Sequence, residues 1–599
     1  MSLFSELQRR NVFRVALAYS VVAWLVAQVA ELAFDSFGTP DWAMKTLLFV
    51  LVMGLPIAVI FAWAFEMTPE GLKREKDVDR SNSITDQTGR KLNHTIIAVL
   101  AAALVLSLVT RDWSSETPGD APTIATEGDD KSIAVLPFVN MSDDKENEYF
   151  SDGISEELLN VLVKVEGLRV ASRTSSFSFK GKDKSIPDIA EALNVEHVLE
   201  GSVRKAGDTI RITAQLIDVK TDSHLWSETY DRKFEDIFVI QDEISAHIVE
   251  ALKVALGAGE VVETETKPTE NLAAYEDYLR GRYFWQRRGG ENIGKAIGLF
   301  QRATAADPDF ARAWSSLAAA HLTMPTYSGE PDGDHFPQAM EYARKALGLD
   351  PSIAEAHAVI GDLLRLNKNW IEAEPHYLRA IELEPRNPTG YLWYSEQMAC
   401  VGNAEGALAN ALKAIELDPF NPGAISMLSF AYLMNGDMDK ARKYMESARD
   451  LGHPGAIFQL IQLEMYLGNF DKARRLIAET VPEIGEDGAL AFEAYLDTVA
   501  QPDNFDAFLE LTANEPEISE FHFGLDHVQF GRVDTAIELV LNASINGSEW
   551  MDIWVPDVRA LRQHPRFGEL LEKDGLVQYW DKYGWPVQCS RDGEQITCN

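Results

Sequence analysis

Apolar and polar positions change rhythm three times along the chain. In the first 113 residues they form long runs. Residues 12–34 are apolar apart from Arg14, Gln28 and Glu31, residues 44–65 apart from Lys45, and residues 95–110 form a third, shorter run. Runs of this kind, separated by polar loops, predict membrane-spanning helices rather than core helices. Residues 114–130 are polar, with Pro118, Gly119 and Pro122, and read as a linker. From 131 to 257 short apolar runs alternate with helical spacing. Ser132–Phe138 reads as a buried strand, and Ile154, Leu158, Leu159, Leu162 and Val163 lie on one side of a helix. Further strands are expected over 168–172, 197–204 and 224–230, with helices over 186–193 and 237–256. Between 209 and 219 the alternation is clean: Ile210, Ile212, Ala214 and Leu216 face one way, Arg211, Thr213 and Gln215 the other, and Gly207-Asp208 supplies the preceding hairpin turn. The sum is a small α/β domain.

The third rhythm begins near residue 270. An acid followed by proline recurs at Asp307-Pro308, Asp350-Pro351, Glu384-Pro385 and Asp418-Pro419, in steps of 43, 34 and 34 residues. A period of 34 predicts stacked helical hairpins. In the clearest unit Gly361, Leu364, Ala373, Tyr377 and Ala380 stand at spacings similar to the tetratricopeptide repeat. Small residues at Gly361 and Ala373 let two helices approach, and Tyr377 and Ala380 meet the next hairpin. The same packing role falls to Gly281, Ala296 and Ala303 in the first unit, to Trp314, Leu317, Ala339 and Ala346 in the second, to Ala407 and Ala414 in the fourth, and to Ala441 and Ala448 in the fifth. A weaker sixth unit runs to Pro482, giving a repeat region over 270–482. The nine-residue excess of the first step falls within Thr323–His335 and is expected to separate the two helices of its unit. Asp332, Asp334 and His335 there fit turn chemistry better than a metal site. Beyond 483 helices continue as degenerate repeats.

Charge narrows the partners. The net charge of -38 disfavours a phosphate backbone, so no nucleic acid is expected. Cys400 reads as a core residue. Cys589 and Cys598, nine residues apart around Asp592-Gly593, read as a disulfide. Positive charge is concentrated at Arg9, Arg10 and Arg14 and again at Lys73, Arg74, Lys76, Arg80, Arg90 and Lys91. With three spans this predicts that everything after residue 113 lies across a bacterial inner membrane, in the periplasm.

Two segments of the α/β domain carry a family resemblance. Ser132-Ile-Ala-Val-Leu-Pro-Phe-Val-Asn-Met-Ser, then Glu148-Tyr-Phe-Ser-Asp-Gly-Ile-Ser-Glu-Glu-Leu158, resemble the TolB amino-terminal-like (FlgO-like) domain. Leu199-Glu-Gly-Ser-Val-Arg204 and Leu225-Trp-Ser-Glu-Thr-Tyr230 fit the same pattern. The resemblance implies a membrane-anchored protein with tetratricopeptide repeats. Some relatives carry a cyclase or winged-helix domain, neither of which is found here. Residues 559–571 and 575–580 resemble the closing segment of such proteins and are expected to cap the repeats. The expected architecture is therefore multidomain: three transmembrane helices, a TolB-like α/β domain over 131–257, and an all-α solenoid.

Catalytic motifs are missing. No Gly-x-Ser-x-Gly, phosphate-binding loop, His-Glu-x-x-His or Cys-x-x-Cys occurs. Asp152, Glu156 and Glu157 are better explained as acids at a helix start than as catalytic groups, and the basic stretch Phe179–Ser185 as a solvated turn. The expectation is a scaffold without enzymatic activity or cofactor that binds a protein or peptide through its solenoid. The alternative is a transmembrane signalling or regulatory protein, related to the accessory regions of TolB-like cyclases or transcription regulators.

Overall fold

A computed structural model of the chain describes residues 131–599 apart from 166, 183, 257–267, 329–331, 454, 501–504, 506–508, 510–519 and 594. Of the first 130 residues it describes Tyr19, Ala23, Val26, Leu47, Leu51, Gly54 and two strands. The chain divides into two compact units, Met1–Ile124 and Ala125–Asn599.

In the first unit β1 (Phe65–Thr68) and β2 (Gly71–Arg74) pair antiparallel. Among the described residues no helix is long and apolar enough to cross a membrane. This overturns the expected three-helix anchor, and with it the inner-membrane and periplasmic placement that depended on it. The stretches 12–34, 44–65 and 95–110 themselves lie outside the described residues, except for single positions. Where the second stretch meets described backbone, Phe65 opens a strand, and Lys73 and Arg74 of the supposed cytoplasmic loop belong to its partner. An apolar run fixes hydrophobicity and length but not which backbone groups it bonds.

The second unit opens with a mixed sheet. β3 (Ser132–Val135) lies between β5 (Arg169–Val170) and β6 (His197–Ala206), parallel to both, and β4 (Val139–Asn140) continues beside β6. β7 (Thr209–Asp218) and β8 (Ser223–Lys233) follow as antiparallel hairpins, giving the order β5-β3-β6-β7-β8. Helices α1 (Glu148–Val163) and α4 (Ile237–Leu256) cover one face, where Ile210, Ile212, Ala214 and Leu216 are fully buried. α2 (Arg173–Phe177) and α3 (Ile186–Leu193) lie toward the other, with Ile189 and Leu193 against Ala134 and Val198. Covered on both faces, β3 is buried throughout and apolar after Ser132, whereas β8 is an exposed edge.

Six helical hairpins follow. They are α5 (Leu272–Gln286) with α6 (Gly290–Ala306), α7 (Ala311–Ser328) with α8 (Asp332–Leu349), α9 (Ala354–Leu366) with α10 (Trp370–Leu383), α11 (Pro388–Cys400) with α12 (Ala404–Leu417), α13 (Pro422–Met434) with α14 (Met438–Asp450), and α15 (Ala456–Tyr466) with α16 (Phe470–Val499). First helices begin at 354, 388, 422 and 456, in three steps of 34. Pro388 and Pro422 open α11 and α13, where the missing N–H costs nothing. The preceding Asn387 and Asn421 accept from the N–H groups of Thr389 and Ala424.

The packing positions lie where helices meet. Ala296, Ala303, Leu317, Ala339, Ala346, Ala373, Tyr377, Ala380, Ala407, Ala414, Ala441 and Ala448 are all buried, and Trp314 is half-buried beneath Lys345. Gly281 sits against Phe300 so closely that a Cβ would stand 2.5 Å from the ring, and one at Gly361 would stand 3.1 Å from Tyr377. The nine-residue insert does not part its hairpin. α7 and α8 have 18 residues each, against 13 and 14 in α9 and α10, and the difference of nine is the whole insert. Pro325 and Pro337 lie inside the lengthened helices.

The chain ends in α17 (Glu520–Gln529), α18 (Val533–Asn542), two 3-10 turns over 549–558, α19 (Arg559–Arg562), α20 (Phe567–Lys573), α21 (Leu576–Tyr583) and the hairpin β9 (Cys589–Asp592) with β10 (Gln595–Cys598). A disulfide joins Cys589 and Cys598. This tail bridges α18 and hairpins three and four, and shares one apolar core with them.

Candidate functional site

Peptide grooves of helical-repeat arrays are lined by whichever helices face the inside of the curve. Here the first helices α7, α9, α11 and α13 pack on one another in series, and the second helices do so far less. The first helices therefore line the inner face. That face is not open. Across α5, α7, α9, α11 and α13 only Ala273 and Thr326 are exposed. The second helices keep a solvated outer side, with Leu378 of α10 and Leu349 of α8 among the exposed apolar residues.

The α/β domain fills one edge of the inner face and touches hairpins one and two and the segments ahead of hairpins four and five. Gly153 of α1 lies close against α5, where a Cβ would stand 3.0 Å from Leu279. One turn on, Glu156 pairs with Arg282 of α5 and with Arg173, both at 2.7 Å. Arg282 continues to Glu355 of α9 at 2.9 Å, and Glu355 accepts from Ser315 and Ser316 of α7. Arg312 of α7 reaches Glu157 at 3.4 Å. Arg386, ahead of α11, donates to the carbonyls of Val165 and Leu168. Asp418, ahead of α13, accepts from Ser172 (2.5 Å) and Ser175 (2.7 Å), and Phe179 meets Phe420 edge-on. Apolar contact secures the near end: Phe238 of α4 lies 4.6 Å from Tyr275 of α5, ring centre to ring centre.

These carboxylates are structural. Burial pushes the Glu156 carboxyl up, but Arg282 and Arg173 outweigh it and hold the group at about 2. Asp152 is raised by burial against the pull of Lys180, its partner at 2.5 Å. α1 starts four residues before Asp152, so Asp152-Gly153 is not the helix start expected from sequence. The glycine serves the approach to α5 instead. Lys180, expected in a solvated turn, bridges Asp152 and Glu148. Asp334 is exposed in α8, and His335 faces His321 of α7, with their Nδ1 atoms 3.0 Å apart. Among the described residues no three acidic, histidine or cysteine groups converge to hold a metal.

The tail covers the other edge, at the turns inside hairpins three and four, and tryptophans carry much of the contact. Trp554 and Trp580 donate to the carbonyls of Cys400 and Val401, both at 2.9 Å, and so satisfy acceptors left over where α11 ends. Trp370 donates to the Asp574 carbonyl and Trp550 to its carboxylate. Tyr579 donates to Glu374 at 2.8 Å. Behind these turns Arg365 of α9 binds Asp362 (2.6 Å) and Glu396 of α11 (3.2 Å), tying two hairpins together. Burial raises the Glu396 carboxyl to about 7 against the pull of Arg365.

None of these inner-face contacts was among the residues singled out for binding. The signal was present in α1, whose acids Glu156 and Glu157 precede Leu158 and Leu162. A helix that turns its apolar side to a sheet and its acids away has a second surface to satisfy.

Comparison with known proteins divides the chain in the same way. Residues 129–247 match the family described as HilA/YgeH-like transcriptional regulator, second domain, and this match takes the place of the TolB-like domain expected from the sequence, for which the comparisons give no support. Residues 332–388 and 410–443 match tetratricopeptide repeat families. A putative adenylate cyclase 3 of Rhizobium meliloti (strain 1021) is 40% identical over 270 residues, which span 44% of this chain and 46% of that protein. Among solved structures, the type IV pilus biogenesis factor PilW is 18% identical and covers 36% of this chain and 96% of its own, with a TM-score of 0.29. Pseudomonas aeruginosa PilF is 21% identical, covers 35% and 94%, and has a TM-score of 0.29. YrrB, described as a TPR protein with an unusual peptide-binding site, is 18% identical, covers 32% and 95%, and has a TM-score of 0.23. The chain contains tetratricopeptide repeats, a non-catalytic architecture suited to protein binding, joined to an α/β domain that matches the HilA/YgeH-like second domain.

Proposed function

We propose that the chain is a protein-binding scaffold whose repeats hold the α/β domain on their inner face and offer their outer face to a protein partner. The observation that carries this reading is the run of in-phase hairpins whose first helices are covered by the chain's own segments. A groove already lined with Glu156, Glu157 and Ser175 on one edge and with Trp554 and Trp580 on the other leaves the second helices as the accessible repeat surface. The test is affinity capture from cells at native expression, with the full chain and a Leu349→Asp, Leu378→Asp variant as paired baits. Both leucines are exposed, so the fold tolerates the change. A protein recovered by the parent and lost from the variant supports the outer face. Equal recovery by both baits refutes it.

The relative named a putative adenylate cyclase favours a second reading: a regulatory chain sharing part of its sequence with a cyclase. Glu156, Glu157, Arg282 and Glu355 on the inner face are held in ion pairs, and on this reading the chain regulates without forming cyclic nucleotide. Purified full chain incubated with ATP and a divalent metal is expected to yield none, and turnover abolished by a single carboxylate substitution would make it an enzyme.

A further inference from the structure

Two histidine pairs tie the first helix to the second in successive hairpins. In hairpin three His357 of α9 faces His376 of α10, with Nδ1 atoms 3.1 Å apart and ring centres 5.2 Å apart. In hairpin two His321 of α7 faces His335 of α8, at 3.0 Å and 5.1 Å. Each centre-to-centre distance is close to the nitrogen gap plus two ring radii, so the nitrogens point almost straight at one another. Such a contact is an N–H···N hydrogen bond, and it lasts only while one of the two nitrogens keeps a bare lone pair.

The surroundings fix which nitrogen that is. The Nε2 of His357 lies 3.2 Å from the Pro351 carbonyl, which can only accept. Nε2 therefore carries the hydrogen, and the Nδ1 of neutral His357 accepts from the Nδ1–H of His376. A proton added to His357 sets N–H against N–H and breaks the pair. One added to the Nε2 of His376 brings charge toward Arg344 of α8. Burial lowers His357 and Arg379 adds to this against the pull of the Pro351 carbonyl, while burial, His357 and Arg344 all lower His376. Glu372 stands one turn from His376 on α10, and Glu341 one turn from Arg344 on α8; among the described residues no carboxylate pairs with either ring. In hairpin two the Nε2 of His321 is sealed from solvent and has no partner. Buried N–H groups are orphaned more rarely than buried acceptors, so His321 donates through Nδ1 and His335 accepts. A proton on His321 would create the orphan, and one on the Nδ1 of His335 would break the bond. Burial and His335 hold His321 down at about 4. Tyr342 of α8 packs on His321 with ring centres 5.5 Å apart, and Asp334 beside His335 is exposed.

We propose that the two pairs form an acid-sensitive latch, which at neutral pH holds α8 and α10 against α7 and α9 and on protonation lets both second helices open. The direction follows from linkage. His321, His357 and His376 are harder to protonate in the fold than in the open chain, so their contribution is complete above the ordinary value of 6.5. It is lost as pH falls below 6.5, toward about 4 for His321. The latch acts within the hairpins whether or not a partner docks on their outer face.

The test is hydrogen exchange of the full chain, read by mass spectrometry on peptides covering α8, α10 and α14 and corrected for intrinsic exchange at each pH. Local readout is needed because Glu396 gains stability over the same interval and would blur a global melt. α14 is a second helix without histidine and serves as the internal control. Between about pH 7.5 and about pH 5, opening of α8 and α10 is expected to rise about tenfold or more relative to α14. A pair of glutamines can hydrogen-bond without titrating. His357→Gln with His376→Gln is therefore expected to flatten the response of α10 and leave that of α8, and His321→Gln with His335→Gln to do the reverse. Protection of α14 at neutral pH shows whether each variant folds, and the parent alone decides if one does not. Equal response of all three helices, a response missing from α8 or α10, or an α10 response that survives in the folded glutamine variant of its own pair overturns the proposal.

Discussion

Replacing Arg282 with methionine tests the seam between the α/β domain and the repeats. The change keeps most of the stem volume and removes a guanidinium shared by Glu156 at 2.7 Å and Glu355 at 2.9 Å. The side chains of Glu156 and Arg282 are 10% and 17% exposed, so water cannot fully replace the pair. Breaking one side of a buried pair typically costs about 3–5 kcal/mol. Glu156 gives a second measure, because its descent from 4.5 to about 2 corresponds to roughly 3 kcal/mol of preference for the charged form. Arg173 remains at 2.7 Å and Glu355 keeps two hydroxyl donors, so a loss of about 2–3 kcal/mol is expected for Arg282→Met. The sign with pH follows from the depressed carboxyl. Its stabilisation is complete above the unfolded value of 4.5 and is lost as pH falls toward 2. Urea unfolding followed by tryptophan emission measures this, and Trp285, beneath the Arg282 guanidinium, supplies a local reporter. The gap between parent and variant should be wide at neutral pH and should narrow on acidification. A cycle with Glu156→Gln should show coupling of about 1 kcal/mol or more. A gap below about 0.5 kcal/mol, or one unchanged on acidification, would refute the reasoning.

Three further outcomes are expected. Gly281→Val forces a branched side chain into the Phe300 ring and should cost about 1–3 kcal/mol, seen as an earlier melting transition, whereas Gly298→Ala, in open space, should cost nothing measurable. The Glu396 carboxyl is raised by burial, so its contribution is present below the unfolded value of 4.5 and is lost as pH rises through about 7; Glu396→Gln should flatten that decline in a stability–pH profile. Cys400 is buried with its thiol pushed up to about 12 by burial, so iodoacetamide should label it only after denaturant is added, and rapid labelling of the native chain would contradict the packing around Arg365.

Much of the repeat architecture can be read from the chain because its cause is local. A 34-residue step, small residues where helices touch and proline at each entry all act within a hairpin. The insert shows where local reading stops. Pro325 and the Pro331-Asp-Gly sequence look like breakers, yet two helices absorb the extra residues, because packing against α6 and α9 outweighs the lost backbone bonds. The membrane prediction failed for a related reason: hydrophobic runs carry no information about bonding partners. Gly153 and Asp152 read locally as a helix start, but their roles are set by Leu279 and Lys180, which lie far along the chain or beyond the next strand. The inner-face contacts were the least legible, since Arg386 and Asp418 acquire meaning only once residues 165–175 arrive beside them. No spacing rule links positions so distant.

That distance has a consequence for synthesis. Ser172 and Asp418 are 246 residues apart. At translation rates of about 5–20 residues per second, the α/β domain leaves the ribosome roughly 10–50 seconds before its last docking residue is made. During that interval Arg282 and then Arg312 reach Glu156 and Glu157, while the Ser172 and Ser175 hydroxyls still lack Asp418, so the domain's final stability must wait for the start of the fifth hairpin. Truncation after the first or second hairpin should therefore give a chain that collapses but stays prone to association. The natural unit for expression is the whole span from residue 131 to the tail, not the separate domains its sequence rhythms suggest.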